Sequence, residues 1–67
     1  MLGAIIKEYL VNNGIKQAFL VDKTGLSASQ VSDILNRDRR IDAIEYYRIC
    51  KALNVDLEYF VKKAEEA

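Results

Sequence analysis

The sequence has no histidine, no proline and a single cysteine. Without histidine the chain lacks the side chain most often used as a general base near neutrality and as a zinc ligand, so neither an enzyme nor a metal or cofactor site is expected. Cys50 has no partner for an internal disulfide and no histidine to activate it, and reads as a small core residue. The apolar runs are too short to span a bilayer or to form a signal-peptide core, which predicts a soluble, cytoplasmic protein with no membrane partner. An excess of positive charge is missing too. Ten basic residues balance ten acidic ones, which counts against nucleic-acid binding, where a basic surplus is the usual footprint.

The distribution of charge says more than its sum. Lys16, Lys23, Arg37, Arg39 and Arg40 outnumber Asp22, Asp33 and Asp38 in the middle of the chain, whereas the residues from Ile41 onward are net acidic. With 67 residues, about half of them apolar, the chain makes one domain (1–67). A domain this small buries only about 60% of its unfolded surface, so a partner subunit would help it.

What is present is organised around QAFLVDKTGLSASQVSDILN, residues 17–36. Gly25 follows an apolar-periodic run, where glycine closes a helix at positive φ without steric cost. Ser27 and Gln30 form an S-x-x-Q capping box that opens the next helix. Only Leu26 separates these two signals, and its side chain must turn inward for the helices to meet at a steep angle. That is helix-turn-helix geometry.

Periodicity supplies the remaining elements. A first helix over 2–12 carries Leu2, Ile5, Ile6, Tyr9 and Leu10 on one stripe and stops at Asn12-Asn13-Gly14. The second helix runs over about 16–23, burying Phe19 or Leu20 with Val21, and the third over 28–36, with Val31, Ile34 and Leu35 inward. Asp42 and Glu45 form a D-x-x-E capping box for a fourth helix ending at Leu53, with Tyr46, Ile49, Cys50 and Leu53 buried. Asn54 closes it by tolerating the left-handed region. Asp56 is expected to cap a fifth helix over 57–66, in which Leu57, Phe60 and Val61 close the core while Tyr59 points partly outward. The polar stretch 62–67 reads as a frayed end. The fold class is all-α, a five-helix domain.

Gln17, Leu20, Gly25, Leu26, Ser27, Val31, Ser32 and Ile34 resemble the Q-x-x-L-A-x-x-x-G-L-S-x-x-x-V-S-x-I pattern of the Cro and lambda-repressor-like helix-turn-helix family (XRE type), and Leu53, Val55, Leu57 and Phe60 are similar to its closing segment. There are departures. Lys16 stands where the family has a Ser or Thr cap, weakening that cap by roughly 1 kcal/mol. Leu10 and Leu35 stand where many members carry an Arg–Glu ion pair; replacing both charges with apolar groups is tolerated when the two sites touch.

The resemblance implies a phage or prophage regulator that binds double-stranded DNA at a palindromic operator as a homodimer, with no small-molecule substrate. Its third helix would enter the major groove. Ala28, Ser29, Gln30, Ser32 and Asp33 would then read bases, with glutamine able to pair bidentately with adenine. Lys16, Gln17, Asn36, Arg37, Arg39 and Arg40 would hold phosphate, and Asp56 and Tyr59 would line the dimer interface. A short polar helix face is also what an ordinary solvated helix presents. The zero net charge and the small Ala28 favour an alternative, a protein-interaction module on the same fold: an antitoxin, an antirepressor or a partner subunit.

Overall fold

The computed structural model describes residues 2–37 and 39–66. Over them the chain forms α1 (Leu2–Asn12), α2 (Gln17–Thr24), α3 (Ala28–Asn36), α4 (Ala43–Leu53) and α5 (Glu58–Glu66), an all-α architecture. None of these helices is long and apolar enough to cross a membrane. α1 packs on α3 and α5, and α2 packs on α3 and α4, so α3 is held from two sides.

Local chemistry places the helix ends. Gly14, at φ 65°, ends α1, and the Ile15 amide closes the turn onto the Leu10 carbonyl at 2.8 Å. Asn54 takes the left-handed conformation after α4, at φ 57° and ψ 45°. Lys16 provides no side-chain cap to α2. α5 starts one residue later than expected, and Asp56 supports it through its main-chain carbonyl, which accepts the Tyr59 amide at 3.0 Å. The helix continues through residues 62–66, where a frayed end was expected; Ala67 lies outside the described residues.

Every helix contributes to one core: Ile6 and Leu10, Leu20, Val31, Ile34 and Leu35, Ile49, Cys50 and Leu53, and Phe60, with Leu26 from the turn. Leu10 and Leu35 both lie in it, as neutral replacements for an ion pair require. Of the candidates in α2, Leu20 is fully buried, whereas Phe19 is exposed beneath the Lys23 ammonium, 5.9 Å from the ring centre.

The expectation for α5 needs correction. Phe60 closes the core, but Leu57 and Val61 are 51% and 39% exposed. The cause is the rotation of the helix about its axis. Tyr59 and Phe60 meet edge to face at 5.1 Å, and both meet Tyr9 of α1, at 5.6 and 5.5 Å. Such contacts stabilise by about 0.5–1.5 kcal/mol beyond burial. This aromatic cluster draws the Tyr59 side of α5 inward and leaves Val61 outward, while Leu57 precedes the first turn. The Leu57 carbonyl accepts the Tyr46 hydroxyl, and burial, with Cys50 beside it, pushes the Tyr46 pKa up to about 12.

Candidate nucleic-acid interface

The turn between α2 and α3 is fixed by more groups than its glycine. Gly25 sits at φ 77°, ψ 2° and donates its amide to the Val21 carbonyl. The buried hydroxyl of Thr24 donates to the Leu20 carbonyl at 2.5 Å and accepts the Leu26 amide at 3.2 Å. Both polar groups nearest the turn are thereby satisfied without water, and Leu26 can be buried. From α4, Arg48 Nη1 reaches the Thr24 carbonyl at 3.5 Å, where a cation suits the C-terminal end of a helix.

α3 then starts under a complete capping box. Ser27 Oγ accepts the Gln30 amide at 3.0 Å, and Gln30 Oε1 accepts the Ser27 amide at 2.9 Å. Ala28, Ser29 and Gln30 are exposed on the first turn, and Ser32 and Asp33 are half-buried. Lower on the helix, Asn36 Nδ2 donates to the Ser32 carbonyl at 3.1 Å, and Arg37 Nε pairs with Asp33 Oδ1 at 3.5 Å across an exposed helical turn. A pair of this kind contributes little to stability, but it offsets the negative charge of Asp33. Gln30 Oε1 already uses one lone pair in the cap, so bidentate pairing with adenine would have to use its second lone pair together with the amide nitrogen.

α1 is seated closely behind α3. A Cβ on Gly3 would lie 2.0 Å from the Ile34 carbonyl oxygen, so only glycine allows this approach. Of the residues expected on phosphate, Lys16, Asn36, Arg37 and Arg40 are exposed and Gln17 is half-buried at the start of α2. Asp38, in the same basic loop, lies outside the described residues.

Arg39 departs from the expectation. Its guanidinium turns to Glu45 in a two-pronged ion pair, Nη1 to Oε1 at 3.0 Å and Nη2 to Oε2 at 2.9 Å. Glu45 is 7% exposed; its Oε1 also accepts the Asp42 amide at 3.1 Å, completing the capping box of α4. The Arg39 hydrogen bonds lower the Glu45 pKa, against the opposing effect of burial, with the Asp42 amide lowering it further. Tyr59 is likewise occupied within the chain, by Tyr9 and Phe60, and is half-buried, while Asp56 is exposed.

Gly3, Thr24, Arg48 and the Arg39–Glu45 pair all position α3 or its flanking loop, and spacing alone did not disclose them. Two of them left a trace in the sequence. A glycine inside a helical apolar stripe costs about 1 kcal/mol relative to alanine, which calls for a close approach. Glu45 lies one turn before Ile49, in line with the core.

Two helices meeting across a positive-φ glycine, the second capped and presenting a polar first turn, define a helix-turn-helix. A helix-turn-helix family model matches residues 6–60, and the chain belongs to this family of DNA-binding regulatory domains, of the XRE type. No curated protein matches the chain.

Proposed function

We propose that the chain is a sequence-specific transcriptional regulator of the Cro or phage-repressor type, binding a palindromic operator as a homodimer with α3 in the major groove. The outer side of α3 carries this reading: its first turn exposes Ala28, Ser29 and Gln30 while Val31, Ile34 and Leu35 are buried. Gln30 would donate through its amide nitrogen to a purine N7 or a carbonyl acceptor, Ala28 would meet a thymine methyl, and Ser29, Ser32 and Asp33 would complete the base contacts. Phosphate would be held by Arg37, Arg40, Asn36 and Lys16, and by the first amides of α2 beside Gln17. Lys16 has a role in this arrangement: without a side-chain cap, those amides stay open to an anion.

The dimer surface would be α5 and the loop before it, around Asp56 and Tyr59. Tyr59 is half-buried, so the apolar groups offered to a second copy are the exposed Leu57 and Val61.

Selection of bound duplexes from a random pool tests the reading. The expected product is a two-fold palindrome with half-sites about one helical turn, roughly 34–36 Å, apart. An asymmetric site would remove the dimer. No enrichment would leave the protein-interaction module, which the zero net charge and the exposed Ile44 and Tyr47 of α4 favour.

A further inference from the structure

Arg39 is held at both ends. Its amide donates to the Asp33 carbonyl of α3 at 3.3 Å, and its guanidinium grips Glu45 in the first turn of α4 at 2.9–3.0 Å. One residue therefore ties the last turn of α3 to the first turn of α4. Of the next two residues, Ile41 is packed against the core, and Arg40, between it and Arg39, is exposed.

From this we infer that Arg39 is a positioning residue for DNA, not a phosphate ligand. Clasped to Glu45, it fixes the α3–α4 loop so that Arg40 presents its charge to the backbone beside α3. The inference rests on the DNA-binding reading above. Its physical basis is preorganisation. The entropy of ordering the loop is spent on folding, so less remains to be lost when a phosphate is met. The planar guanidinium is suited to this task, because its fork matches a carboxylate with two parallel bonds, which an ammonium cannot do.

The clasp makes a prediction whose sign is opposite to simple electrostatics. Glu45→Gln removes a negative charge but keeps an oxygen to accept the Asp42 amide, so the α4 cap survives. If Arg39 were a phosphate ligand restrained by Glu45, this change would free it: binding would tighten, and the salt slope would steepen by about 0.9, the value for one additional phosphate contact. If Arg39 positions the loop, Glu45→Gln weakens binding severalfold and flattens the slope by about 0.9 as the Arg40 contact is lost.

The experiment measures the affinity of the full chain for a labelled mixed-sequence duplex across a salt series, since phosphate contacts do not depend on sequence. The proteins are wild type, Glu45→Gln, Arg39→Lys, Arg39→Ala and Arg39→Ala with Glu45→Gln, each first shown by circular dichroism to be helical at the assay temperature. The expected result is that Glu45→Gln and Arg39→Ala weaken binding alike and that the double variant is no weaker than Arg39→Ala. Arg39→Lys should recover little of the loss, although it keeps the charge. Tighter or unchanged binding by Glu45→Gln overturns the inference, as does full rescue by lysine. Absence of salt-dependent binding by the wild type itself would instead remove the DNA-binding reading, and this inference with it.

Discussion

Gly3 of α1 lies against the main-chain carbonyl of Ile34 in α3, at a separation where a β-carbon would stand 2.0 Å from the oxygen. The contact sets the seat of α3 from behind. Gly3→Ala would gain at most about 1 kcal/mol in helix propensity, and less in the first turn of α1 where Gly3 lies, yet it must push backbone apart, and overpacking of this kind costs about 1–3 kcal/mol or more. The expected outcome is a lower melting temperature together with weaker DNA binding. A variant that melts at or above the wild-type temperature would show that α1 slides freely on α3.

Thr24 offers a second measure of the turn. Its hydroxyl accepts the Leu26 amide and donates to the Leu20 carbonyl. Thr24→Val keeps the shape and removes both bonds, leaving a buried N–H unpaired at a cost of about 1–3 kcal/mol. Thr24→Ser should retain most of the stability. Denaturant unfolding of the two variants decides the matter; equal midpoints would mean that the hydroxyl is not what holds the turn.

Acid should find the Arg39–Glu45 pair. Arg39 lowers the folded-state pKa of Glu45, so on acidification the unfolded chain takes up this proton before the folded one does. The stabilisation is therefore complete above the ordinary glutamate pKa, about 4.3, and is lost as the pH falls through the lower folded value. Glu45→Gln should be less stable than wild type near neutrality and lose less stability below pH ~4. Parallel stability curves for the two proteins from pH 7 to pH 2 would contradict the coupling.

Gln30 separates capping from reading. Gln30→Glu keeps an acceptor for the Ser27 amide and places a negative charge at a helix N-terminus, which favours the helix by about 0.3–1 kcal/mol; it removes the outward amide donor. The variant should melt no lower than wild type, while its preference for the selected duplex over mixed-sequence DNA falls at one base position. A carboxylate also repels phosphate, so the ratio of the two affinities is the quantity to measure. An unchanged ratio would take Gln30 out of the base-reading set.

Features set within four residues of chain were legible in the sequence. The capping boxes at Ser27–Gln30 and Asp42–Glu45, the left-handed Gly25 and Asn54, and the limits of α1 and α3 depend on side chains meeting their own backbone one turn away, and the residue types suffice to place them. What depends on other helices was not legible. The periodicity of α5 admits Phe60 with Val61 or Phe60 with Tyr59, and only Tyr9, far away in sequence, selects the second. Arg39 looked like a free cation because its acceptor was already assigned to a local cap. The candidate site was accordingly readable as a set of outward positions on α3, and unreadable in the contacts that aim it.

The edge-to-face cluster of Tyr9, Tyr59 and Phe60 also gives the chain an optical gauge. With four tyrosines, two phenylalanines and no tryptophan, its near-ultraviolet spectrum is dominated by tyrosine, with weaker phenylalanine bands at shorter wavelength, and two of the four tyrosines are locked at the seam between α1 and α5. Loosening of that seam, or a second copy settling on α5, would change near-ultraviolet ellipticity while the far-ultraviolet helical signal stayed constant, and no label would be needed to observe it.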